Sequence, residues 1–191
     1  MSLVPLSKSG RARFALRRLH RDESGVAAIE FAIVALPFLL FTLGLIGLGL
    51  YFLASTSLEY GVEKASRKLL TGEAKKESMT AGQFRQNVCL ASGTYIDCSK
   101  LSVLVQSANN WDGLAPQPCL DEDNKLAAST GADEELISKY SGGAEKVVMV
   151  TLCYAWELAN TFQFLGLGIE DDGSGPAIIQ AAAAFKSEPY E

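Results

Sequence analysis

The chain has 191 residues and a formal net charge of −5 at pH 7, a length that indicates one folded domain together with a membrane anchor. The charge is unevenly distributed: residues 1–24 carry a net charge of +4, whereas residues 25–191 carry a net charge of −9. A basic arm can bind nucleic acid, but this arm is short and an apolar stretch follows closely, so we expect no nucleic-acid partner.

The basic arm at residues 1–24 is typical of the flank that precedes a membrane span on its cytoplasmic side. We therefore expect the N-terminus in the cytoplasm and the residues after about 55 outside it. The segment RARFALRRLHR within the arm fits a basic amphipathic helix on the inner leaflet or a solvated leader.

The stretch from Gly25 to Ala54 contains a single charge, Glu30. From Phe31 to Ala54 there are 24 residues without a charge, and a helix of that length covers about 36 Å, enough to cross a hydrocarbon layer of about 30 Å. A secretory signal has a shorter apolar core, of roughly 7–15 residues, followed by a small-residue cleavage site. The sequence therefore favours a membrane anchor over a cleaved secretory signal.

One proline and three glycines lie within this apolar helix. Pro37 removes a backbone hydrogen bond and clashes with the preceding turn, which predicts a kink or local melting near residues 33–37. Gly44, Gly47 and Gly49 weaken the helix but allow another helix to approach closely.

The helix is predicted to continue beyond the membrane. Apolar side chains recur at helical spacing after the span, at Leu58, Val62, Ala65 and Leu69. Gly72 is well placed to end this helix. Residues 26–70 are therefore predicted to form one long helix, whose second half packs on a folded domain.

The rest of the chain predicts an α+β fold, in which the long helix packs on a small antiparallel sheet. The polar, turn-rich residues 109–145 predict a long loop. Thr80 or Ser78 is expected to cap the helix that follows the long N-terminal helix. Short helices are predicted at residues 78–90, 132–140 and 161–169. Strands are predicted at residues 100–108, 146–158 and 177–188. The last of these fits a strand or a helix on pattern alone, and a strand is favoured because it completes a meander.

The cysteines lie on the exported side of the predicted span, at Cys89, Cys98, Cys119 and Cys153. An even number confined to that side indicates two disulfides in an oxidising compartment. Of three possible pairings, we favour Cys89–Cys98 as a local loop and Cys119–Cys153 as a long-range staple. A metal site is disfavoured because the chain has no C-x-x-C pair and its one histidine, His20, lies in the basic arm.

No catalytic constellation can be assembled from the exported residues. A Ser-His-Asp or Cys-His arrangement needs a histidine there, and no phosphate-binding glycine loop or zinc-protease motif occurs. We therefore expect no enzymatic activity, no catalytic residues and no cofactor. The acidic runs Asp121–Asp123 and Glu170–Asp172 favour solvated turns over calcium sites, because neither has the spacing of an EF-hand loop.

Glu30 is the one residue whose chemistry requires an explanation. A carboxylate costs about 2–3 kcal/mol at the bilayer centre and less near the interface. Glu30 is therefore either tolerated among the lipid headgroups or paired with an opposite charge.

The segment ESGVAAIEFAIVALPFLL at 23–40, behind its basic leader, resembles the processing site of type IV prepilins and pseudopilins. More narrowly, it resembles the TadE/TadF family of Tad (Flp) pilus assembly proteins. The run from Ala65-Ser66-Arg67 to Thr71-Gly72 and the FKSEPY ending at 185–190 add to this resemblance, which covers residues 18–72 well and the rest loosely. Phe31 departs from the family, where a tyrosine often stands, and keeps the aromatic ring.

The resemblance implies a minor pseudopilin with a pilin-like fold. A prepilin peptidase would cut after Gly25, making Val26 the first residue of the mature chain, and Glu30 would pair with the α-amino group of a neighbouring subunit. The implied partners are the prepilin peptidase, other pilins or pseudopilins, the inner-membrane Tad machinery and the lipid bilayer.

The expected organisation is a basic cytoplasmic leader at 1–25, a transmembrane helix at 26–54 and an extracytoplasmic α+β domain at 55–191. The expected location is the bacterial inner (cytoplasmic) membrane, with a single pass and a periplasmic C-terminal domain. The alternative is an uncleaved bitopic membrane protein whose extracytoplasmic domain binds a ligand, with residues 109–145 as its binding loop.

Overall fold

The computed structural model describes residues 25–170 and 172–189. The basic arm, including His20, lies outside the described residues. The chain divides into two compact units between Leu43 and Gly44, and each unit is described by itself.

The longest element is helix α1, Val26–Leu70, which confirms the predicted long helix. Residues 33–37 are α-helical, and bending at Pro37 stays a prediction. The helix ends at Leu70, just before the expected Gly72, whose φ of 73° is a left-handed conformation that glycine adopts without steric cost. The Thr71 N–H donates to the Arg67 carbonyl at 3.0 Å and so satisfies one of the last carbonyls of the helix.

A short helix α2, Glu73–Lys76, and a longer helix α3, Ala81–Ser92, follow. Helix α3 begins with a capping box: the Gln83 N–H donates to Thr80 Oγ1 at 3.2 Å, and the Thr80 N–H donates to Gln83 Oε1 at 3.0 Å. Two groups at the helix N-terminus are thereby satisfied reciprocally. This identifies Thr80, rather than Ser78, as the cap.

The three predicted strands form one antiparallel sheet in the order β1-β2-β3. Their bounds are Leu101–Ala108 for β1, Val147–Trp156 for β2 and Ala177–Lys186 for β3. Val150 of the central strand pairs with Val105 on one side and Ala183 on the other. The sheet is therefore the expected meander, and β3 is a strand.

The loop between β1 and β2 contains less helix than predicted. Its helix α4 covers only Ser138–Ser141, in place of the expected 132–140. The backbone carbonyls of Asp133 and Glu135 instead accept hydrogen bonds from Gly82 N–H at 3.1 Å and Ala81 N–H at 2.7 Å. These are donors of the first turn of α3 that have no partner within that helix, so residues 133–135 are used for capping rather than for a helix of their own.

Between β2 and β3 the chain forms a pair of 3₁₀ turns, Glu157–Leu165, which meet at Phe162. We name Glu157–Leu165 the aromatic segment. It begins four residues earlier than the predicted helix at 161–169, because it continues directly from the end of β2, and it ends at Gly166, which has a φ of 63°.

The sheet separates two hydrophobic clusters. The larger cluster holds the predicted stripe of α1 together with α3 and one face of the sheet, with Leu58, Phe84 and Val150 all fully buried. The smaller cluster covers the other face, where Cys119 of the long loop packs with Leu104 and Cys153. The loop at 109–145 therefore covers the second face of the sheet.

Candidate functional site

The three residues of the expected processing and pairing site lie at the start of α1. The helix begins at Val26, immediately after Gly25. Val26 and Glu30 are four residues apart, so they lie on the same face of the helix and about 6 Å apart along its axis. Among the described residues, Glu30 has no hydrogen-bond or ion-pair partner, and its side chain is exposed.

The surface of α1 in the first unit is apolar and exposed. Phe31, Ile33 and Phe41 are 74%, 68% and 67% exposed, which is unusual for large apolar side chains unless something apolar covers them. In the part of the chain that the structure describes, α1 is the one helix long and apolar enough to cross a membrane. The molecule is thus compatible with single-pass anchoring through this helix.

Polar side chains within the apolar helix satisfy themselves locally. The Thr42 hydroxyl donates to the Phe38 carbonyl at 2.8 Å, and the Thr56 hydroxyl donates to the Phe52 carbonyl at 3.0 Å. A hydroxyl bonded to the preceding turn needs no water, so Thr42, which lies within the charge-free run, is suited to a membrane helix. Glu30 has no such arrangement with a described residue.

Two of the three glycines in the charge-free run of α1 contact the aromatic segment of the same chain. A Cβ at Gly47 would lie 2.9 Å from atoms of both Phe162 and Leu165, and one at Gly44 would lie 3.6 Å from Phe164 and Leu165. The approach of another helix that the sequence predicts here stays a prediction. Within this chain the contact is with the aromatic segment, while a Cβ at Gly49 would meet no described atom within 4 Å.

The structure joins the cysteines in the two pairs that the sequence favours. Cys89 is bonded to Cys98 across a sequence separation of 9, and Cys119 to Cys153 across a separation of 34. The first disulfide connects the last part of α3 to the 3₁₀ turn just before β1, and the second connects the long loop to β2. Such bonds persist in an oxidising compartment, as expected for the exported part of the chain.

The loop at 109–145 is also hydrogen-bonded to the outer edge of β1. Val103 N–H donates to Ser129 Oγ at 3.1 Å, Val105 N–H donates to Thr130 Oγ1 at 2.9 Å, and Thr130 N–H donates to the Val103 carbonyl at 2.9 Å. These bonds cover an edge that would otherwise expose unpaired backbone groups. The loop suggested for ligand binding thus has a structural role at the sheet.

The two acidic runs meet at an open cleft of about 550 Å³ lined by Asp123, Asn124, Ile169, Glu170 and Asp172. Their carboxylates bond to their own turns: Asp121 Oδ1 accepts from the N–H groups of Asp123 and Lys125 at 3.0 and 2.8 Å, and Asp172 Oδ1 accepts from Ser174 N–H at 2.9 Å. Hydrogen bonds from Ser174 also lower the pKa of Asp172. Within 25–170 and 172–189, no group of three or more His, Cys, Asp or Glu side chains is arranged to hold a metal ion.

The N-terminal part of the chain matches a known family. Residues 25–67 match the family model described as TadE-like protein. This match confirms the resemblance drawn from the sequence, identifies α1 as the TadE-like part of the chain, and indicates a Tad pilus-related protein. No curated protein and no solved structure gives a significant match.

Proposed function

We propose that this chain is a minor pseudopilin-like component of Tad (Flp) pilus assembly, without enzymatic activity. In this proposal a prepilin peptidase cuts between Gly25 and Val26, and the mature protein packs against other pilins or pseudopilins and the Tad machinery through α1. It is held in the bacterial inner membrane with its folded domain in the periplasm. The observation that carries the proposal is the family match at 25–67, which includes the cut site, Glu30 and all but three residues of α1.

The position of the helix start supports the processing step. Because α1 begins at Val26, a cut after Gly25 would remove the leader and leave the whole helix in the mature chain. The cut would also create an ammonium group at the first residue of the helix.

The electrostatics of Glu30 support the pairing step. An unpaired carboxylate in lipid is costly, and Glu30 has no partner among the described residues. An α-amino group of a neighbouring subunit would provide an opposite charge within the same apolar layer. Removing one member of such a pair leaves the other charge unpaired in lipid, which is strongly unfavourable.

Cleavage is tested by determining the N-terminus of the membrane-extracted protein from cells with and without the prepilin peptidase. We expect a chain that starts at Val26 only when the peptidase is present, and a retained leader in the Gly25→Leu variant. The Gly49→Leu variant is the matched control, because Gly49 meets no described neighbour. An intact leader in peptidase-positive cells would contradict the processing step and favour the uncleaved bitopic alternative.

Pairing is tested by counting assembled pili in cells that carry Glu30→Ala, Glu30→Gln or Glu30→Asp. We expect the first two variants to lose assembly and the third to retain part of it, because only aspartate keeps the charge. Glu59→Ala is the matched control, since Glu59 is an exposed carboxylate further along the same helix. Wild-type piliation in Glu30→Gln cells would rule out a required charge pair.

A further inference from the structure

The aromatic segment descends along α1 in the direction of the helix N-terminus. The ring of Trp156, just before the segment, makes an edge contact with Tyr51, with 5.6 Å between ring centroids. Phe162 then lies at Gly47, and Phe164 lies at Gly44. From Tyr51 to Gly44 is seven helical residues, which corresponds to a descent of about 10 Å along the axis.

This descent brings the segment to membrane depth. A hydrocarbon layer of about 30 Å takes up about 20 helical residues, and the charge-free run from Phe31 to Ala54 has 24. Every placement of the layer within that run contains Gly44 and Gly47. Depending on where the layer is placed, these two glycines lie about 4–15 Å below the surface of the hydrocarbon layer that faces the folded domain.

The segment presents apolar side chains on its outer surface, one of them, Phe164, at the depth of Gly44. Phe164 is 52% exposed and Leu158 is 48% exposed, although both belong to the compact second unit. Between them, Asn160, Thr161 and Gln163 are exposed polar side chains. A short surface that exposes phenylalanine and leucine together with polar side chains is typical of segments that lie at the boundary of headgroups and acyl chains.

Charged groups on either side limit how deeply the segment enters. Glu157, its first residue, forms an ion pair with Lys100, and Glu170 follows five residues after its end. Ionised groups remain at the headgroup level because burying them in hydrocarbon is costly. The apolar side chains are therefore restricted to the outer part of the hydrocarbon layer.

We propose that the aromatic segment is a second membrane anchor, in which Phe164 and Leu158 insert into the leaflet that faces the folded domain, beside the transmembrane helix. The occupant of this apolar surface is lipid. This inference rests on the membrane anchoring of α1 in the proposed function. Gly44 and Gly47 have the further role of letting the segment lie flat against α1 at this depth.

The test uses the full chain reconstituted in phosphatidylglycerol and phosphatidylethanolamine nanodiscs, with and without brominated lipids, which quench tryptophan on contact. The parent carries Trp111→Phe and keeps Trp156, which is 4% exposed and gives the background emission. One tryptophan is added to this parent in each of four variants: Phe164→Trp, Leu158→Trp, Leu90→Trp and Phe41→Trp. Leu90 is the matched control: it is 72% exposed on α3, whose Ser92 packs against Gly61, beyond the end of the apolar run. Phe41 reports insertion of α1 itself.

We expect brominated lipid to remove most of the added emission of the Phe164→Trp, Leu158→Trp and Phe41→Trp variants and to leave that of the Leu90→Trp variant unchanged. If the Phe41→Trp variant is quenched but the other two on the aromatic segment respond like the Leu90→Trp variant, the second anchor is overturned and the proposed function stands. A second copy of the chain that covers Phe164 in place of lipid would give this same result and would equally overturn the second anchor. If the Phe41→Trp variant is not quenched, the membrane anchor on which both proposals rest is overturned.

Discussion

Gly61 of α1 lies directly against Ser92, the last residue of α3. A Cβ at Gly61 would lie 3.0 Å from Ser92 Cβ and 3.1 Å from its Cα, and it would overlap Ser92 Oγ. The Ser92 hydroxyl is itself fixed, because it donates to the Val88 carbonyl at 2.9 Å. The absence of a side chain at Gly61 therefore sets how closely the two helices approach.

Gly61→Ala is expected to destabilise the folded domain. Overpacking costs about 1–3 kcal/mol, and here the added methyl group would clash with the backbone of Ser92. We expect this cost to exceed the roughly 1 kcal/mol by which alanine stabilises a helix relative to glycine. Urea unfolding of the full chain in detergent, followed by the emission of buried Trp156, measures the change. Gly49→Ala on the same helix should show no loss, and Ser92→Gly should partly rescue Gly61→Ala. Equal stability of the two alanine variants would contradict the close approach.

Gly47→Leu is expected to displace the aromatic segment from α1. A leucine at this position would meet Phe162 and Leu165, whose atoms lie 2.9 Å from the position of its Cβ. The overpacking cost of about 1–3 kcal/mol lowers the free energy needed to detach the segment from α1. Amide hydrogen exchange in Glu157–Leu165 should therefore accelerate on the order of tenfold or more. Gly49→Leu adds the same side chain two residues away, where it meets no described neighbour. Identical exchange in the two variants would show that Gly47 does not hold the segment.

The elements that the sequence predicted well are those specified by local patterns. The stripe that begins at Leu58 recurs every three or four residues, and all its members are buried because one face of a helix meets the core. Gly72 and Thr80 mark helix ends through the conformation and hydrogen bonding of a few neighbouring residues. Such signals lie within a short stretch of sequence, so they can be recognised without the fold.

The features that the sequence did not predict depend on contacts between distant residues. Residues 133–135 resemble part of a helix, yet their carbonyls cap Ala81 and Gly82 some fifty positions away. Gly44 and Gly47 indicate a close approach, but their spacing does not identify what approaches. The sequence offered one signal for this contact, the apolar run at 161–169. It could have been proposed as the segment that packs against these glycines.

The two disulfides are expected to differ in their contribution to stability. In the chain-entropy description, closing a loop of 34 residues contributes about 4 kcal/mol and closing a loop of 9 residues contributes roughly 3 kcal/mol. Replacing Cys119 and Cys153 by alanine should therefore lower the unfolding free energy more than the same replacement of Cys89 and Cys98. The loss should also release the loop from the second face of the sheet, where Cys119 packs with Leu104. Urea unfolding of the two double variants gives the comparison, and a larger loss for the local pair would contradict it.

The pKa of Glu135 is expected to depend on Tyr140. The Tyr140 hydroxyl donates to Glu135 Oε2 at 2.5 Å, and Lys139 Nζ and the Ala132 N–H also donate to this carboxylate, both at 3.1 Å. These bonds, led by that of Tyr140, lower the pKa of Glu135 from 4.5 to about 2. Because the pKa is lower in the folded state, the carboxylate stabilises the fold fully above about pH 4.5 and loses that effect as the pH falls through about 2.

Tyr140→Phe should raise the pKa of Glu135 toward its ordinary value, because it removes the strongest of these hydrogen bonds while keeping the aromatic ring. An NMR titration of the Glu135 side-chain carboxyl carbon measures this shift directly. Tyr95→Phe is the matched control, since Tyr95 is an exposed tyrosine that does not contribute to the pKa shift of Glu135. A second readout is the difference in unfolding free energy between the wild type and Glu135→Gln, which should shrink between about pH 4.5 and 2. A Glu135 pKa near 4.5 in the wild type, or one that Tyr140→Phe leaves unchanged, would contradict the assignment.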